Sequence, residues 1–183
     1  MQAMVVYSSR TGNTQKIASE IFRAIPGESK DMQHISEYTG KDADLFFVGF
    51  WTRWGDCDTQ IANLLSGFHG KRIALFGTCG VGGDGLMHER IIRQVKGWIA
   101  PDNSYAGTFL CQGKMPMEVR RRYEAKLSGK DGQKQVRAML RNFDEALLHP
   151  DPTDLADAAA FVRSVMEQDV RLRTEYGSSL DNV

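Results

Sequence analysis

Three short apolar runs, each followed by a polar loop and then by a segment of helical periodicity, constrain this chain more than any other feature. Residues 3 to 8 (AMVVYS) lead into SSRTGNT, after which Ile17, Ile21, Phe22 and Ile25 recur at helical spacing until Pro26-Gly27. Residues 45 to 51 (LFFVGFW) lead through TRWGDCD to a helix marked by Ile61, Leu64 and Leu65. Residues 72 to 77 (RIALFG) lead through TCGVGGDG to a helix with Ile91, Ile92, Val95 and Trp98 on one face. Runs this short and this continuously apolar fit strands buried on both faces rather than helices. A weaker strand is expected near Met32 to Ile35 and another at Tyr105 to Cys111. Strands alternating with helices predict an α/β fold, a doubly wound parallel sheet with helices on both sides.

Right-handed crossovers place every strand-to-helix loop at the carboxyl edge of such a sheet, where ligands bind. The chemistry is therefore expected in residues 8–14, 51–58, 78–86 and 111–116. Beyond residue 116 the pattern is helical and polar: Val119, Tyr123 and Leu127 mark one helix, and Val136, Leu140, Phe143 and Leu147 another. Asp151-Pro152 with Asp154 is a helix-start signal, and Leu155, Ala158, Ala159, Val162, Val165 and Met166 predict a long last helix. A length of 183 residues suits one sheet domain, residues 1–149, and a C-terminal helical extension, residues 150–183, packed on it or projecting from it.

Charge narrows the function. Lys plus Arg and Asp plus Glu are 23 each, so a whole-chain basic field for nucleic acid is absent. Residues 114–149 nevertheless carry nine basic and five acidic side chains, and residues 150–183 three basic and seven acidic. The longest apolar runs are far below the roughly 20 residues of a membrane span. The N-terminus lacks a basic segment followed by an apolar stretch, and three widely spaced cysteines (Cys57, Cys79, Cys111) form no disulfide framework. Both point to the cytoplasm.

Two loops carry the chemical argument. Ser8, Ser9, Arg10, Thr11, Gly12, Asn13 and Thr14 open a helix, where backbone N–H groups and the dipole favour an anion. Small hydroxyl side chains and Gly12 make a phosphate-ester cradle, although the same composition serves as a plain helix cap. GxxxxGK[ST] is absent, and no cysteine has an arginine six positions on, so nucleotide-triphosphatase and thiolate-phosphatase chemistry are disfavoured. The second loop, Trp51 to Asp58, holds two tryptophans in polar surroundings. Trp54 is expected to stack on a planar heterocycle; the alternative has Trp51 capping the sheet and Trp54 packed under a helix.

These two motifs, each behind a buried strand, resemble the flavodoxin family. The resemblance spans roughly residues 3 to 115 and implies a five-stranded sheet of order 2-1-3-4-5 with FMN bound without a covalent link. It places the phosphate in residues 8–14 and the isoalloxazine against Thr52, Arg53, Trp54 and Gly55. It assigns the second face of the ring to the third loop, Thr78, Cys79, Gly80, Gly82 and Gly83. It further implies electron transfer through an exposed flavin edge, with the Gly55 carbonyl accepting from flavin N5–H in the one-electron-reduced state. No metal is implied.

Three departures from the family stand out: the third loop lacks the usual tyrosine, leaving backbone or Met87 to cover the ring; the chain is neutral rather than acidic; and an extension follows residue 149. Residues 111–116 (CQGKMP) and the arginine-rich segment after them resemble a bacterial flavodoxin-like subgroup associated with anaerobic bilirubin reduction. The expected function is an electron carrier between a reductase and an acceptor. The alternatives are an FMN-dependent NAD(P)H oxidoreductase acting on a small molecule, and an interaction module without flavin.

The G-x-G-x-x-G at Gly80, Gly82 and Gly85 does not follow the first strand, and Asp102, at the distance of an acidic partner, sits beside Pro101. A dinucleotide site is therefore disfavoured. Arg120, Arg121 and Arg122 form a solvated helix face or a docking patch for acidic redox partners. The cysteines are read as small fillers beside the ligand, the alternatives being a redox relay or a metal site. The four histidines are expected at the surface.

Overall fold

The computed structural model describes residues 1–82, 85–127 and 132–177, without the side chains of residue 169 and residues 172–177. Its strands are β1 (Ala3–Tyr7), β2 (Lys30–His34), β3 (Leu45–Trp51), β4 (Arg72–Cys79) and β5 (Ser104–Gln112). Its helices are α1 (Asn13–Ala24), α2 (Thr59–Gly67), α3 (Gly85–Lys96), α4 (Met117–Lys126), α5 (Gln133–Ala146) and α6 (Pro152–Gly177). The sheet is parallel with order β2-β1-β3-β4-β5, the expected doubly wound topology.

Alternation along the strands sends successive side chains to opposite faces. Ala3, Val5, Tyr7, Leu45, Phe47, Ala74 and Phe76 meet α1 and α6 on one side, while Met4, Val6, Phe46, Val48, Phe50, Ile73 and Leu75 meet α2 and α3 on the other. With both faces covered, the central strands have no polar face, which is why they read as continuous apolar runs. At the centre, Gly49 pairs with Phe76 and Phe50 with Gly77 in the β3–β4 register. A Cβ on Gly49 would lie 2.3 Å from Phe76 Cζ, and one on Gly77 2.6 Å from Phe50 Cζ. Each ring therefore lies flat over the neighbouring strand's glycine.

Helix starts follow local chemistry. Asp58 caps α2, accepting from the Gln60 and Ile61 N–H groups at 3.0 and 3.2 Å. Asp151 and Asp154 form a reciprocal capping box at the start of α6: the Asp154 N–H donates to Asp151 Oδ1 at 2.9 Å and the Asp151 N–H to Asp154 Oδ2 at 2.7 Å. Helix α6 places Ala158, Val162 and Val165 in the same core as β1 and α1, and Phe161 lies edge-on to Phe47 at 6.3 Å. Helices α4 and α5 pack on each other. Among the described residues no helix is long and apolar enough to cross a membrane.

Two boundaries differ from the sequence reading. Strand β4 runs on through Thr78 and Cys79, so these belong to the sheet and the third loop begins at Gly80. Strand β2 begins at Lys30; all five of its residues are half-buried, which weakened its apolar signal.

Candidate functional site

Helix α1 begins at the carboxyl end of β1 with Gly12 at its cap position, φ 84°, and no side-chain cap. The left-handed conformation there suits glycine alone among ordinary residues. Around it the hydroxyls are arranged. Buried Ser8 donates its N–H to the Gly49 carbonyl at 2.9 Å, and Ser9 Oγ accepts from the Gln15 N–H at 3.3 Å. Asn13 Nδ2 donates to Thr11 Oγ1 at 3.0 Å and to the Lys114 carbonyl at 2.9 Å, tying the first loop to the segment after β5. Thr14 turns inward: it is 1% exposed, with its hydroxyl 3.0 Å from Thr78 Oγ1 and 3.5 Å from the Phe50 carbonyl. Thr14 thus joins the ends of β3 and β4 to α1, while Ser9 is half-buried and Arg10, Thr11 and Gly12 are exposed.

The second loop is a tight reversal. The Arg53 N–H donates to the Asp56 carbonyl at 2.8 Å and the Asp56 N–H to the Arg53 carbonyl at 3.1 Å. Between them Trp54 and Gly55 both have positive φ, 56° and 85°. Two such residues in sequence are the signature of a type I′ turn. The indole at its tip is 90% exposed, so Trp54 does not pack under a helix. Trp51 ends β3 half-buried, with the Arg10 guanidinium 5.6 Å above its ring. Thr52 anchors the loop root, its N–H and Oγ1 donating to the Thr78 carbonyl at 3.0 and 3.2 Å.

Asp56 holds the turn from below. Its carboxylate accepts from the Cys57 N–H at 2.8 Å, from Trp98 Nε1 at 3.1 Å and from Gln94 Nε2 at 3.2 Å. The last two come from α3 and the residues after it. Trp98 appears in the sequence as part of a buried helix face; it is 40% exposed, with its indole N–H spent on this carboxylate.

The third loop is held from across the chain. Asn142 on α5 donates from Nδ2 to the Gly80 carbonyl at 2.8 Å and accepts the Gly82 N–H on Oδ1 at 3.0 Å. Buried Gln112 donates to Asn142 Oδ1 at 3.2 Å. The sequence carries no signal for this partnership, because Asn142 lies 60 residues beyond Gly82. Gly83 lies outside the described residues, and Met87 lies in the first turn of α3.

The thiols are all unpaired and buried. Burial pushes the Cys57 thiol up to about 12 and the Cys79 thiol to about 11, and raises that of Cys111 as well. Cys57 and Cys79 belong to one core and Cys111 to the core on the other face. A cavity of about 390 Å³ lies away from these loops, among Asp42, Asp44, Lys71, Arg72, Asp102 and Ser104 at the amino edge of the sheet.

A sheet of this order, with a hydroxyl-rich loop after β1 and an aromatic turn after β3 at its switch point, defines a mononucleotide-binding protein of the flavodoxin type. The flavodoxin domain profile matches residues 4–163, and the chain belongs to the flavodoxin family. It is 34% identical over 171 residues to the flavodoxin-like domain-containing protein BilS of Clostridioides difficile, covering 91% of this chain and 97% of that one. It is 32% identical over 182 residues to the protein of the same description from Clostridium symbiosum, covering 90% and 95%. The flavodoxin of Streptococcus pneumoniae TIGR4 has the same fold, with a TM-score of 0.56 and 14% identity over 92% of this chain and 99% of that one. Oxidised flavodoxin 2 of Bacillus cereus does too, with a TM-score of 0.53 and 15% identity over 92% and 99%.

The cofactor of the family is FMN, and the residues present fit it. A helix start on a glycine, ringed by small hydroxyls, suits a phosphate dianion. An indole standing in solvent on a braced turn suits a flat apolar ring.

Proposed function

We propose that this protein is an FMN-bearing electron carrier that accepts electrons from a reductase and passes them to a separate acceptor. The observation that carries the reading is Trp54. A bulky residue is held at positive φ and almost wholly exposed, beside the hydroxyl loop and on a turn braced by Asp56. Such strain persists where function uses it. FMN, when bound, supplies the redox chemistry. The protein's part is to bind the phosphate at Ser9 to Gly12, to support one ring face with Trp54, and to offer the Gly55 carbonyl.

The partner-facing charge is positive. Arg120 is spent within the protein, on Glu124 at 2.8 Å and on Asp144, so Arg121 and Arg122, with Lys126, are the exposed cations of that helix offered to an acidic partner. Unpaired buried thiols suit the reducing cytoplasm as the place of action.

The test is reconstitution. The purified protein takes up one FMN, and the Trp54→Ala variant binds it several-fold more weakly, since one aromatic stack is worth about 1 kcal/mol. With NADPH alone the flavin stays oxidised over many minutes; with a catalytic amount of a flavodoxin-reducing enzyme it is reduced. Sustained NADPH oxidation by the protein alone would instead make it a reductase.

A further inference from the structure

We infer that Asn142, on α5, is a positioning residue for the isoalloxazine: it sets the backbone of the third loop on the ring's second face, a job the family resemblance assigns to a loop tyrosine absent here. The inference rests on the FMN reading above. Three observations carry it. First, one side-chain amide engages two backbone groups of the same loop, donating to the Gly80 carbonyl at 2.8 Å and accepting from the Gly82 N–H at 3.0 Å. A two-point clamp on residues two apart fixes the orientation of the peptide groups between them, where a single bond would leave a hinge.

Second, the clamp is itself clamped. Gln112, at the end of β5 and only 6% exposed, donates to Asn142 Oδ1 at 3.2 Å and reaches the Gly80 carbonyl at 3.4 Å. The loop, β5 and α5 therefore share one hydrogen-bond network, and the network orients the Asn142 amide.

Third, the loop's glycines lie close against the side chains of this network. A Cβ on Gly82 would lie 2.4 Å from Gln112 Oε1, and one on Gly80 2.6 Å from Met115 Sδ. The space beside both glycines is thus filled by this chain's own side chains, which press the loop into place. Helices α4 and α5 acquire a purpose by this account. Arg120 of α4 pairs with Asp144 and lies over the Phe143 ring at 5.5 Å, so the hairpin holds α5 with Asn142 facing the loop.

The test compares wild type with Asn142→Asp and Asn142→Ala, each loaded with FMN or riboflavin. Asn142→Asp is nearly isosteric and keeps the acceptor for the Gly82 N–H, but cannot donate to Gly80 and adds a negative charge. Both variants are expected to bind FMN and riboflavin about tenfold more weakly, because the half-buried Gly80 carbonyl loses its shorter donor and keeps only Gln112 Nε2 at 3.4 Å. Riboflavin lacks the phosphate, so an equal loss for both ligands assigns the defect to the ring. Bound FMN in Asn142→Asp is expected to show a lowered midpoint potential and an altered visible circular dichroism spectrum. Variants with wild-type affinity, potential and spectrum overturn the inference, even if their melting temperature falls, since that is what a purely structural role predicts. Wild type that takes up no FMN overturns the carrier reading and this inference together; wild type that binds while the variants match it overturns this inference alone.

Discussion

At the scale of single residues, the site trades stability for presentation. Trp54 sits at φ 56°, where a side chain costs roughly 1–2 kcal/mol. The Trp54→Gly variant removes that cost and also removes the ring. Chemical denaturation of the flavin-free variant should therefore show unchanged or higher stability, by up to about 1 kcal/mol. Its FMN titration should show weaker binding. A loss of both would mean the indole supports the fold. The two loops and the exposure of Trp54 were legible in the sequence because hydroxyls, glycine and an out-of-place tryptophan announce themselves locally. The inward turn of Thr14 was not, since its partner Thr78 lies 64 residues away. Nor was the bracing of Asp56, which needs Trp98 from across the fold.

At the scale of elements, register decides what a substitution costs. Gly49 lies under the Phe76 ring, and Tyr7 Cβ would stand 2.8 Å from an added methyl. Gly49→Ala, harmless by composition, should cost about 1–3 kcal/mol in urea denaturation through overpacking. Helix starts make a different prediction. The Asp154 N–H holds the Asp151 carboxyl below its usual range. A group depressed in the folded state stabilises above its unfolded value of about 3.9, and that contribution is lost as pH falls through the folded value. Between about pH 5 and about pH 3, wild type should lose more of its urea midpoint than Asp151→Asn, whose amide does not titrate in that range. Equal slopes would show that the capping box contributes nothing ionic. The helix start at Asp151 was readable from spacing alone, because a capping box is a contact within four residues.

At the scale of the molecule, the two cores share out the three thiols and bury each of them. A disulfide reagent at about pH 8 should label no cysteine in the native protein and all three on unfolding, because burial keeps the thiolate fraction small. Rapid labelling of native Cys79 would reopen a redox role for it. The alternation of strand and helix, the parallel sheet and the position of the binding edge were determined by the sequence itself. Period and apolarity are local, and handedness is general to L-amino acids. What only the tertiary structure decided is who holds the site: Asp56 by Trp98, the third loop by Asn142 and Gln112, and α6 in the core beside β1. Those pairings join residues 30 or more positions apart, and no local pattern encodes which distant side chain a chain will bring home when it closes on its core.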